Sequence, residues 1–177
     1  MLHSQGPLLT LDVADRSTAE TDIEAEQQRY LGGRGLGTRL AHERVPFDAD
    51  PLGADNRLYF TTGPLQVSNM SFTGRMNCTG VSPLTDGLLS SNAGGFMSRH
   101  FADPGYRAGD VAGASDAMLV GPVRADGVTL EEVPALPAAA APDTPPYLQP
   151  ATGTGPGPND VAEPAQPAPR RYAHAMH

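Results

Sequence analysis

RLYFTT (Arg57–Thr62), the turn Gly63-Pro64-Leu65 and MSFTGRMNCT (Met70–Thr79) decide how this chain folds. The two flanking runs are rich in β-branched and aromatic residues and are separated by a Gly-Pro break, which reads as two strands and a connection. Upstream, PLLTLDV (Pro7–Val13) reads as another strand, closed by a turn at Ala14 to Ser17. A helix follows, capped by Thr18 or Thr21, with Asp22 and Glu24 near its positive end and Gly32-Gly33 ending it. A second helix over Arg34–Arg44 puts Leu36 and Leu40 four residues apart on one face, and Pro46 stops it. Downstream, Ala117–Arg124 and Val128–Val133 read as strands joined through Ala125-Asp126-Gly127, with a short helix over about Gly95 to Phe101. Meandering strands with two or three short helices imply an α+β fold, not alternating βαβ units.

Composition narrows the function. The chain has 177 residues, which allow one domain of ordinary size. Its 20 acidic residues outnumber 12 basic ones, all arginine and, apart from Arg170-Arg171, spread singly along the chain, so no basic stripe is seen to neutralise phosphates and nucleic-acid binding is disfavoured. One cysteine, Cys78, excludes an intrachain disulfide and any Cys-only zinc or iron–sulfur site, and it reads as a small buried side chain. No stretch approaches the roughly 18 apolar residues of a membrane span, and the first residues lack the pattern of a signal peptide, so a cytoplasmic location is expected. The acidic surplus is mostly Asp and is joined by a complete lack of Lys, a composition suited to high salt. Codon bias in a GC-rich genome explains the missing Lys but not the Asp surplus.

Composition shifts at Pro134. Residues 134–177 carry 11 Pro and few large apolar side chains, too few to offset an ordering cost of about 1 to 2 kcal/mol per residue. The expected organisation is a folded domain over residues 1–133 and a disordered Pro/Ala-rich tail over 134–177.

Taken singly, the motifs are weak. Gly32-Gly33-Arg34-Gly35-Leu36-Gly37 fails as a dinucleotide loop, because Thr38 stands where a glycine is required and the glycines follow a helix. It reads more simply as a tight corner between two helices. Histidines 3, 42, 100, 174 and 177 have no metal-site spacing, and no nucleophile motif is present, so no catalytic or metal-ligating side chain is assigned. Ser91-Asn92-Ala93-Gly94-Gly95-Phe96 is different. Small residues before a helix expose main-chain N–H groups to a flat or anionic ligand, and Arg75 supplies a planar guanidinium fork.

In order, these motifs resemble the N-terminal domain of the aldehyde ferredoxin oxidoreductases. The resemblance rests on LGGRGLG (Leu31–Gly37), Asp50-Pro51-Leu52 with Asn56, Thr62-Gly63-Pro64-Leu65, Gly74-Arg75, Ser82-Pro83-Leu84-Thr85, Ser91 to Phe96 and Gly105-Tyr106. It covers about residues 7–133. It implies a base of two β-sheets carrying tungstopterin (bis-molybdopterin, with tungsten or sometimes molybdenum), and it places Arg75, Asn92, Ala93 and Gly94 at pterin-contacting positions. It also implies oxidation of aldehydes to carboxylates, with electrons leaving through a four-iron four-sulfur cluster to ferredoxin. This chain has no ligands for that cluster, and the family's larger remaining part is not in it. Arg107 to Gly113 departs from the family's apolar strand, and Gly109 and Asp110 are expected to weaken a central strand there. A truncated or frame-shifted gene is the simplest account, inactive alone. The alternatives are a non-catalytic pterin-binding or assembly subunit paired with a separately encoded remainder or with itself as a homodimer, and a degenerate product.

Overall fold

A computed structural model describes residues 5–66, 68, 70 and 73–133; the predicted tail lies outside the described residues. The chain runs through strands Leu8–Asp12 (β1) and Ser17–Thr21 (β2), helices Glu24–Tyr30 (α1) and Gly33–Arg44 (α2), and strands Leu58–Thr62 (β3), Arg75–Val81 (β4) and Leu88–Gly94 (β5). Helix Met97–Ala102 (α3) and strand Ala108–Ala112 (β6) follow. Four two-residue strands come last: Leu119–Val120 (β7), Val123–Arg124 (β8), Gly127–Val128 (β9) and Glu131–Glu132 (β10).

Six strands form one mixed sheet in the order β2-β1-β6-β3-β4-β5. Only β1 and β6 run parallel; every other neighbour in the sheet is antiparallel. The mixture is sheet-rich with few helices. β8 and β9 pair around Ala125-Asp126, as the turn chemistry predicts, and β10 pairs with β7. Gly121-Pro122 interrupts the longer strand expected over Ala117–Arg124, since proline cannot donate to a ladder.

Period-two alternation splits the apolar residues between the two faces of the sheet. Leu8, Tyr59 and Ala108 pack on one face with Ile23, Leu36, Leu40 and Ala41. Leu9, Tyr106 and Val128 pack on the other, with Leu11, Phe101 and Val123 against them. Leu36 and Leu40 lie on the sheet-facing side of α2, as their spacing requires. Burying each such leucine stabilises the fold by about 1.5 to 3 kcal/mol.

Several expectations are corrected. Ser17–Thr21 is a strand, so neither Thr18 nor Thr21 caps the helix; α1 starts after Ile23 with no side-chain cap, and the Asp22 carboxylate instead accepts from the Glu24 N–H. Pairing with β1 overrides the polar composition of Ser17–Thr21. β4 starts at Arg75, not Met70, and runs on to Val81. α3 starts at Met97, two residues after the glycine expected to open it.

β6 forms where a weakened central strand was expected. Gly109 and Asp110 lie inside a central strand held between β1 and β3. Gly109 is there because Phe101 packs over it: a Cβ at this position would stand 3.0 Å from the phenyl ring. Asp110 is fully buried, and its carboxylate accepts from the Arg57 guanidinium at 2.7 Å, with Arg44 at 3.8 Å. Burial pushes the Asp110 carboxyl above its ordinary range, and Arg57 only partly opposes this. The neighbouring Tyr59 hydroxyl is pushed up to about 12, chiefly by burial and then by the Asp110 charge.

A folded-state pKa above the unfolded one means that the protonated carboxyl favours the fold. The contribution of Asp110 is therefore full below about pH 4 and is lost as the pH rises through the raised value. Asp110→Asn is expected to gain stability relative to the native chain as the pH goes from 4 to 7, measured by urea denaturation at each pH. Arg57→Met leaves the buried carboxylate short of its main partner and is expected to cost about 3 kcal/mol at pH 7 in the same assay.

Candidate functional site

The strands β4 and β5 place the sequence-predicted site residues side by side. Arg75 pairs with Gly94, Met76 with Ala93, and Asn77 with Asn92. Opposite residues of a pair share a face, so Arg75, Asn77, Asn92 and Gly94 lie on one side of the sheet and Met76 and Ala93 on the other. Arg75, Asn92 and Gly94 are exposed, and Ala93 is half-buried. All four predicted residues thus lie together at one end of the sheet.

The local structure is not the one expected. Leu88–Gly94 is the last strand of the sheet, where a loose glycine turn before a helix was predicted. Serine, asparagine, alanine and glycine are poor strand formers, and pairing along all seven residues with β4 overrides that preference. The main-chain N–H groups face out for a different reason. Gly95 N–H donates to Gly74 O, which fixes the alternation of the antiparallel ladder. Ala93 and Ser91 then turn their peptide groups toward β4, while Asn92 and Gly94 turn theirs to the open edge of the sheet. A row of main-chain donors and acceptors results, with Arg75 beside it.

Beyond the strand the chain turns at Gly95, whose φ of +126° only glycine adopts freely. α3 follows, and the Arg107 guanidinium donates to the Ala102 carbonyl at its C-terminal end at 2.9 Å. Phe96 and Met97, just past the turn, are exposed, as are Leu88 and Leu89 at the other end of β5. The open edge is thus flanked by apolar side chains at both ends.

Asn77 is a buried polar residue of this region that the sequence reading did not single out. It is fully buried, and its side-chain amide donates to Ser90 Oγ at 2.7 Å and to the Ser91 carbonyl at 3.0 Å. The signal was its position in MNCT, where Asn77 and Thr79 alternate with Met76 and Cys78 on opposite faces of a buried strand. Cys78, expected to be buried, is half-buried, and burial raises its thiol pKa. Among the described residues no group of three or more His, Cys, Asp or Glu side chains is placed to hold a metal ion, and no helix is long and apolar enough to cross a membrane.

The structure is a six-stranded mixed sheet whose last strand, β5, ends in small residues, with Arg75 of β4 opposite Gly94. The family model for the N-terminal domain of aldehyde ferredoxin oxidoreductase matches residues 8–162, and the chain belongs to this family. A tungsten-containing aldehyde ferredoxin oxidoreductase from Thermococcus kodakarensis is 31% identical over 120 residues, which are 66% of this chain and 20% of the relative. One from Pyrococcus furiosus is 32% identical over 108 residues, 61% of this chain and 18% of the relative. The chain therefore spans about a fifth of the length of these relatives. Among solved structures, the active site complex BamBC of benzoyl coenzyme A reductase, in complex with 1,5-dienoyl-CoA, superposes with a TM-score of 0.71 at 25% identity, over 75% of this chain and 20% of that one.

Gly94 and Gly95 differ in what an added side chain would meet. A Cβ on Gly94 meets only Gly74 O at 3.8 Å, ordinary contact, whereas any side chain at Gly95 is strained by its backbone. Gly95→Ala is expected to cost about 1 to 3 kcal/mol and Gly94→Ala less than about 0.5 kcal/mol, read from thermal melts of the two variants.

Proposed function

We propose that the exposed end of β4 and β5 is the cofactor-facing surface of an aldehyde ferredoxin oxidoreductase-type domain, carrying the pterin part of a tungstopterin. The observation that supports this most directly is chemical. Arg75, Asn92 and Gly94 share one face, and the edge beside them offers main-chain N–H groups that no described residue of a neighbouring strand takes up.

The residues present fit such a group. A fused pterin ring is flat, and a strand with glycine and alanine near its end admits it close to the main chain. Its ring carbonyl and phosphate are acceptors. Arg75 meets acceptors with two parallel N–H donors, a geometry that lysine does not offer. Gly94 leaves the position opposite Arg75 without a side chain, so the guanidinium and the peptide edge reach one ligand together. The apolar side chains of Phe96 and Met97 keep water from the rim when a ring lies beside them. When bound, the tungstopterin supplies oxidation of an aldehyde to a carboxylate, with the metal held by the pterin's own sulfurs. This chain's residues then bind and orient the cofactor; none is assigned to proton transfer.

The iron–sulfur cluster does not fit. The chain has one cysteine, half-buried in β4, and four thiolates are needed. Electron exit to ferredoxin, the substrate cavity and the second half of the pterin contacts therefore belong to other polypeptide, in one chain with this domain or supplied by a separate one. In this reading the 177-residue chain is a cofactor-gripping part with no turnover of its own. Its Asp-rich composition supports a high-salt setting.

Purified chain, produced with tungstate in the medium, is expected to show no aldehyde-dependent dye reduction; stoichiometric tungsten by metal analysis together with turnover would overturn this. Arg75→Leu removes a charged donor and is expected to weaken binding of a phosphorylated pterin by about tenfold or more, followed by quenching of the pterin fluorescence. An unchanged titration would remove Arg75 from the site.

A further inference from the structure

A single chain of side-chain hydrogen bonds runs from beneath α2 to the exposed Asn92. Thr79 Oγ1 donates to Asn77 Oδ1 at 2.7 Å, and Asn77 Nδ2 faces Ser90 Oγ, the Ser91 carbonyl and Asn92 Oδ1, the last at 3.3 Å. The direction of this relay is forced. The Ser91 carbonyl only accepts, so the end of the Asn77 amide facing it is the nitrogen, and Oδ1 is left for the Thr79 hydroxyl. The two N–H groups of Asn77 are shared among Ser90 Oγ, the Ser91 carbonyl and, at the longest distance, Asn92 Oδ1; with a donor nitrogen of Asn77 beside it, the near end of Asn92 is its oxygen. The Asn92 nitrogen, with both its donors, is turned away toward the exposed side.

Asn77 and Asn92 can do this because they are a non-hydrogen-bonded pair of the ladder, in which side chains stand closest. α2 holds the relay down from above. A Cβ on Gly37 would stand 2.6 Å from Thr79 Oγ1 and 3.2 Å from Asn77 Oδ1, so the last glycine of GGRGLG is what lets the helix settle onto these two side chains. Elsewhere in a helix Ala is favoured over Gly; here the space is already filled.

We propose that Asn77 is a positioning residue that fixes the Asn92 amide with its donors outward, so that with Arg75 the site presents side-chain donors only and selects an acceptor-rich ligand group such as a phosphate or ring carbonyl. This rests on reading the Arg75–Asn92 edge as the cofactor-facing surface. Asn77 touches no ligand itself. A merely structural asparagine would stabilise β4 against β5 without setting which end of Asn92 faces out.

The test is nuclear magnetic resonance of the side-chain amides in the full, nitrogen-15-labelled 177-residue chain, with inorganic phosphate as the probe. The expected result is an Asn77 amide shielded from exchange with water, an Asn92 amide that exchanges readily, and a phosphate-dependent shift of the Asn92 signals. Asn77→Ser is expected to raise the phosphate midpoint about five- to tenfold and to merge the two Asn92 proton signals, and Thr79→Val to do so more weakly. A folded Asn77→Ser chain with unchanged Asn92 signals and midpoint overturns the proposal, as does a native Asn92 amide that is itself shielded. If both variants fail to fold, the exchange pattern of the native chain decides it. If phosphate shifts nothing while the Asn92 signals still depend on Asn77, the cofactor reading fails and the positioning role stands.

Discussion

The fold depends on one buried strand that carries a charge. β6 lies between β1 and β3, and Asp110 at its centre is fully shielded from water, with Arg57 and Arg44 reaching it from the chain just before β3 and from the last turn of α2. A carboxylate in such a place is costly unless paired, so the two arginines and the strand fix one another. Arg57 lies just before β3 and Arg44 at the end of α2, and both meet on the same carboxylate. Phe101 closes the opposite face over Gly109, so the strand is gripped from both sides.

That grip was not legible in the residue types. Glycine and aspartate argue against a strand when judged locally, and they are reconciled with it only by long-range partners: a phenyl ring from α3 and guanidinium groups from residues 44 and 57. Ser17–Thr21 was missed for the same reason, since its pairing with β1 lies outside its own composition. By contrast, PLLTLDV, RLYFTT, the Leu36–Leu40 face of α2 and the turn at Ala125-Asp126 were readable, because apolar spacing and turn chemistry are local. The ordered motifs of the family pointed to Arg75, Asn92, Ala93 and Gly94, which the structure places on neighbouring strands, although their secondary structure was not legible. Its grouping of Arg75 with Asn92 and Gly94 comes from a strand register that a sequence does not display.

The two halves of the domain do different work. The β2-β1-β6-β3 part carries both apolar clusters and the buried ion pairs. The β4-β5 part carries buried polar side chains on the α2 face, Asn77 and Thr79, and exposed small residues at its end. A well-packed centre therefore borders a polar margin whose outer strand has an unpaired main-chain edge among the described residues.

The parallel pairing of Leu8 with Ala108 joins strands that are one hundred residues apart in the chain. As the polypeptide leaves the ribosome, β1 and β3 emerge long before β6, and no described strand other than β6 stands between them. β3, β4 and β5 form a local meander that can assemble early, while β1 holds only the short hairpin with β2 until β6 arrives. Folding should thus end, not begin, at the middle of the sheet, at a slow rate typical of distant strand pairing. The step that buries Asp110 is the same step that joins the two ends of the sheet into one body.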